Sequence, residues 1–220
     1  MTQLMNPEPI RESKIEECVK HLYGDIPVSP CPFTPREIAE LPELNEMLVY
    51  LPARLTPQKM CEMWGIRANF NFENEKMIRT VMNYEDLWFI TSASSSPELM
   101  YHSGLEAKRI YEDRGLNGMD LRRYLAFVAT YRFYHDQFPD TTYWSFLHAA
   151  SYDRSGISVV GFDIHGILNH HGWMKNFKAK FNGSRYAVIA PRIEINQQTE
   201  ALSRAYRGGK NRAGLEADMD

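Results

Sequence analysis

No apolar run in this 220-residue chain approaches the roughly 20 residues needed to cross a bilayer. The opening stretch, MTQLMNPEPIRESK, lacks the apolar segment of a secretory signal. The expected location is therefore the cytoplasm, with no membrane partner. Cysteine is scarce: Cys18, Cys31 and Cys61 are odd in number, have no C-x-x-C spacing and all fall in the first third. A disulfide framework pairs an even set in a smaller secreted chain, and a cysteine zinc site needs close pairs. Three reduced, mostly packed thiols are expected instead. Several signatures of chemistry are missing: H-E-x-x-H, the G-x-S-x-G serine elbow and the G-x-x-x-x-G-K phosphate loop. There is no internal repeat and no low-complexity tract.

What is present reads as a globular protein. The composition, 44% hydrophobic and 24% charged, lies far from the disordered regime. A chain this long can bury about 70% of its unfolded surface, so its core needs no staples. The net charge of −3 is unevenly spread. Residues 1–50 hold nine acids against four bases, and residues 165–212 hold nine bases against two acids. Such asymmetry points to an anionic partner, or to two ends that lie near each other.

The first half punctuates like a helical protein. Ser13 with Glu16, Thr34 with Glu37 and Ser103 with Glu106 are capping-box pairs, in which hydroxyl and carboxylate each satisfy an orphan backbone N–H. Ile15, Cys18, Val19 and Leu22 make one apolar stripe, and Gly24 ends that helix. Pro27, Pro30 and Pro32 force an extended loop. Pro42 keeps the helix from Thr34 short, Thr56-Pro57 opens another that Gly65 closes, and residues 74–83 read as helical. Met119 to Asp136 is the longest helix, with Leu121, Tyr124, Leu125, Val128 and Tyr131 as its buried stripe. Met47–Leu51 and the wholly apolar Leu87–Thr91 read as strands.

After Pro139 the pattern turns to strands: Tyr143–Ala149, a central Ile157–His165, Trp173–Lys180 and Arg185–Ala190. Turns are expected at Asp153–Gly156, at Asn169–Gly172 and at Asn182-Gly183. The fold class expected is α+β: a helix-rich N-terminal half packed on a C-terminal antiparallel sheet, a meander of hairpins. Residues 1–195 form the domain, and 196–220 a polar tail with a short helix over 198–206.

Four clusters carry potential chemistry. The densest set of metal-type ligands is Asp163, His165, His170 and His171, with His148 on the preceding strand in support. Alternate strand residues share a face, so Asp163 and His165 would point together, and the turn after them would return a second imidazole. Two imidazoles and a carboxylate suit one divalent transition metal, zinc or iron, which would activate water for hydrolysis. The loop after Leu87–Thr91, Ser92 to Ser96, presents hydroxyls but lacks phosphate-cradle glycines, so Ser96-Pro97 reads as a cap. The aromatics between residues 124 and 146 have helical spacing and read as core. Lys175, Lys178, Lys180, Arg185 and Arg192 form a basic stretch suited to phosphates.

No complete catalytic set emerges. The sequence thus favours a non-enzymatic binding or accessory protein, without a cofactor, whose C-terminal sheet and basic surface contact a protein or nucleic acid. The alternative is a metal-dependent hydrolase centred on the His/Asp cluster.

Overall fold

The start signals at Thr34, Thr56 and Ser103 work as the sequence places them, whereas Ser13 lies inside the first helix, Glu12–Tyr23, rather than capping it. The computed structural model describes residues 12–72, 85–152 and 156–189, all within one compact unit that runs to Ile189. The helix expected over 74–83, the turn beginning at Asp153, and the tail lie outside the described residues.

Helix α1 (Glu12–Tyr23) buries Ile15, Cys18, Val19 and Leu22 and ends at Gly24, whose φ of +73° needs glycine. Helix α2 (Pro35–Glu40) starts on a full capping box, with the Thr34 hydroxyl accepting from the Glu37 N–H and the Glu37 carboxylate accepting from Thr34. Helix α3 (Pro57–Trp64) is capped by Thr56 and closed by Gly65, and α4 (Gly104–Asp113) repeats the box with Ser103 and Glu106.

The longest helix, α5 (Leu121–His135), departs from the one-sided stripe. From Leu121 to Tyr131 every residue except Arg123 is buried, because structure covers α5 on several sides. Its Arg122 is fully buried yet polar on all sides, so it donates from Nε to the Leu55 carbonyl at 2.6 Å and from Nη2 to Pro52 at 2.9 Å.

Strand β1 (Glu46–Leu51), buried at all six positions, pairs antiparallel with β3 (Leu87–Ser92). A five-stranded sheet runs β2 (Arg67–Ala68), β7 (Ile167–Met174), β6 (Gly156–Phe162), β5 (Trp144–Tyr152) and β8 (Asn182–Ser184). A third pairing joins β4 (Asn117–Gly118) to β9 (Tyr186–Ala187). One core joins Met47, Val49 and Phe89 to Leu125 and Phe127 of α5 and to Leu147, Val160, Phe162 and Leu168 of the larger sheet.

The architecture is thus mixed α and β, but the antiparallel meander is corrected. The β7–β6–β5 stretch is antiparallel, whereas β2 lies parallel to β7 and β8 parallel to β5. Two expected turns are strands. Asn169–Gly172 sits inside β7, and the reversal comes earlier, where Gly166 takes a φ of +69°. Asn182-Gly183 belongs to β8. A Cβ on Gly183 would meet the Glu98 carbonyl oxygen at 2.5 Å, so glycine serves close backbone approach rather than a bend. Among the described residues no helix is long and apolar enough to cross a membrane.

Candidate functional site

The metal-type ligands are not brought together. Asp163 follows β6 directly and its Oδ1 accepts from the N–H groups of His165 and Ile167, both at 2.9 Å, which builds the β6–β7 turn. Those backbone bonds, the one from Ile167 foremost, hold its carboxyl below the ordinary range. His165 is exposed in that turn, and its carbonyl accepts from Arg67. His170 and His171 are consecutive in β7 and so face opposite sides of the sheet. His170 is 2% exposed against Phe70, and burial pushes its imidazole down to about 4. His171 is exposed beside Trp144.

His148 is separate again. The pairing of Ser145 with Val160 sends Asp163 beyond the start of β5, away from His148, whose Nε2 lies 2.8 Å from the Ser184 hydroxyl. Among the described residues no group of three or more His, Cys, Asp or Glu side chains is placed to hold a metal ion.

The basic stretch breaks up as well. Arg185 has no exposed surface: its Nη2 and Nε bond the two oxygens of Asp140 at 2.6 and 3.1 Å. Nη2 also reaches the Ser94 carbonyl, and the guanidinium lies 4.3 Å from the Phe127 ring centroid. Tyr124 and Ser145 hydroxyls donate to the same Asp140 oxygen. Arg185 therefore belongs to the interior, and a surface role for it is withdrawn. Lys178 is spent on Glu106, at 2.6 Å, and this bond, with those from Ser103, holds the Glu106 carboxyl at about 2. Lys175 and Lys180 are exposed and form no ion pair with a described residue. Arg192 lies outside the described residues.

What the C-terminal sheet does present is aromatic. Odd-numbered residues of β7 share the face that carries Trp173, which pairs across to Ile157. Beneath it Phe146, Ile157 and Val159 are buried, partly covered by α4, where a Cβ on Gly104 would meet Ile157 Cδ1 at 2.6 Å. Trp173 is only partly buried, with ring centroids of Phe177 at 5.1 Å, Trp144 at 5.7 Å and Phe181 at 5.9 Å. Phe177 and Phe181 are 38% and 45% exposed, unusual for such large apolar groups.

The loop that carries these two is pinned. The Phe177 N–H bonds the Met174 carbonyl, the Trp144 N–H bonds that of Phe181, and the Leu105 N–H bonds that of Lys175. Lys175 and Lys180 stand in the same short segment. Trp173, Phe177 and Phe181 fall outside the 124–146 aromatic cluster that is conspicuous in the sequence. The alternation of aromatic and lysine in WMKNFKAKF is the signal that would have found them.

A second concave feature is a groove of about 670 Å³ between α1 and the 24–33 loop, lined by Ile15, Val19, Val28, Phe33, Leu48 and Trp88 among others. Its volume suits a small ligand. Among its polar groups, Lys20 pairs with Asp25 at 3.0 Å and Trp88 Nε1 donates to the Ser29 carbonyl. None of the buried side-chain atoms left without a partner belongs to it. Comparison with protein-family models, with curated proteins and with solved structures finds no match to this chain.

Proposed function

We propose that this chain is a non-enzymatic binding protein whose Trp173 face takes single-stranded nucleic acid. The observation that supports this reading is a partly exposed Trp173, ringed by Trp144, Phe177 and Phe181, in one segment with the exposed Lys175 and Lys180, which pair with no described residue. Each base has a flat π-face, so stacking on an aromatic side chain is worth about 1–3 kcal/mol and tolerates any sequence. Inside a duplex those faces are covered by neighbouring bases, which favours the single strand. Lysine is depleted at the centres of protein–protein interfaces, so lysines interleaved with the aromatics favour a polyanion over a protein.

Fluorescence anisotropy of a short labelled oligodeoxythymidine, titrated with the full chain at several salt concentrations, tests this. Salt-sensitive binding is expected. Trp173→Leu should weaken it about 5- to 150-fold, the range that loss of one stacked base implies. Lys175→Gln with Lys180→Gln should weaken it with no change in Tm, since both side chains are exposed. Absence of binding, or binding that neither variant alters, overturns the reading.

A further inference from the structure

Three of the buried side-chain atoms that have no hydrogen-bond partner gather on residues lining one small cavity. It lies beside α4, β4 and β5, has a volume of about 140 Å³, and is lined by Lys108, Tyr111, Glu112, Gly118, Arg123 and His148 with two neighbours. The unpartnered atoms are Tyr111 Oη, Arg123 Nε and His148 Nδ1. Tyr111 is 1% exposed, so its hydroxyl has no bulk water in exchange. Buried polar groups in native proteins are almost always satisfied, and a concentration of exceptions at one cavity calls for an occupant.

The orphan atoms state what the occupant must offer. A guanidinium Nε–H and a lysine ammonium only donate, and a phenol donates readily. The fourth group is His148, whose Nε2 lies 2.8 Å from Ser184 Oγ. An anion in the cavity requires the tautomer in which the buried Ser184 hydroxyl donates to Nε2 and the ring proton sits on Nδ1, the atom left unpartnered. Charge agrees with donation: among the lining residues Lys108 and Arg123 are opposed by Glu112 alone, which Lys108 touches at 3.7 Å, while Glu98, whose charge acts on the Tyr111 phenol, lies outside the lining. Space agrees too: at about 30 Å³ per water in the liquid the cavity has room for four waters, enough for an oxyanion of five heavy atoms.

We infer that this cavity binds a small oxyanion of phosphate size, held by Arg123, Lys108, the Tyr111 hydroxyl and His148 Nδ1–H. The site is independent of the Trp173 face. Loss of the anion leaves the three orphan atoms to disordered water. Gly118 lets β4 pack directly on His148, where any Cβ would collide with the His148 side chain.

The test follows the imidazole of His148 by NMR in the full chain, its resonance identified by its loss in His148→Gln. Inorganic phosphate is added against sodium chloride at equal ionic strength. The proposal expects a saturable shift with phosphate and none with chloride, at least tenfold weaker in Arg123→Gln and in Tyr111→Phe. Should Tyr111→Phe fail to fold, Lys108→Gln, an exposed position, takes its place. A response identical for phosphate and chloride means the cavity holds water only and overturns the inference. So does a saturable response that Arg123→Gln and Lys108→Gln leave unchanged.

Discussion

Replacing Arg185 by Met removes one partner of a fully buried ion pair. Its guanidinium makes two bonds to Asp140, one to the Ser94 carbonyl and a face contact with Phe127, all without solvent. Arg185→Met strands the Asp140 carboxylate with only the Tyr124 and Ser145 hydroxyls, at 3.0 and 2.7 Å, to hold its charge. Asp140→Asn strands the guanidinium instead. Breaking one side of a buried pair costs about 3–5 kcal/mol, because the surviving charge is neither hydrated nor paired. For a domain of this size that lowers Tm by roughly 6–20 °C. The double variant leaves no unpaired charge and should cost less than the two singles added, by about 1–3 kcal/mol. Urea unfolding followed by tryptophan fluorescence and by circular dichroism measures all three. Additive singles, or an Arg185→Met protein as stable as the parent, would refute the burial argument and return Arg185 to the surface.

Three other outcomes follow from named contacts. Burial pushes His170 and His148 down to about 4. The unfolded chain takes up these protons near pH 6.5 and the folded chain does not, so stability falls as pH drops from about 6.5 towards 4. For the enclosed His170 the loss is on the order of 3 kcal/mol, and denaturation curves at pH 7 and pH 4.5 should show a smaller loss in His170→Phe. Gly183→Ala forces a Cβ to within 2.5 Å of the Glu98 carbonyl oxygen. A cost of roughly 1–3 kcal/mol is expected, and a neutral Tm would contradict the close approach of β8 to Glu98. Burial pushes the Cys18 and Cys61 thiols up to about 12, so alkylation at pH 8 followed by mass spectrometry should label Cys31 well before either.

Signals confined to a few neighbouring residues were legible in the sequence. Thr34 with Glu37 and Ser103 with Glu106 start helices where their spacing says, and the apolar LWFIT run is a buried strand. Signals that depend on distant partners were not. Asn182-Gly183 has the composition of a turn, yet β8 is held by β5, some 38 residues earlier, and by Glu98. Arg185 looks like a surface base until Asp140, 45 residues away, supplies its carboxylate. Asp163 looks like a metal ligand until its own turn takes up its Oδ1, and the adjacent His170 and His171 are parted by strand alternation. Among the described residues of the basic stretch, Lys175, Lys178 and Lys180 are exposed, but Lys178 is paired with Glu106, and the aromatics that frame them follow the more conspicuous cluster at 124–146.

The most direct measurement is the slope of log K against log salt for oligodeoxythymidine binding, compared between the parent chain and Lys175→Gln/Lys180→Gln. Each ammonium–phosphate contact on a single strand contributes about −0.7 to that slope. The account predicts a line flatter by about 1.4 in the double variant. Equal slopes, with binding intact, would show that these lysines meet no phosphate and that the Trp173 face serves some other partner.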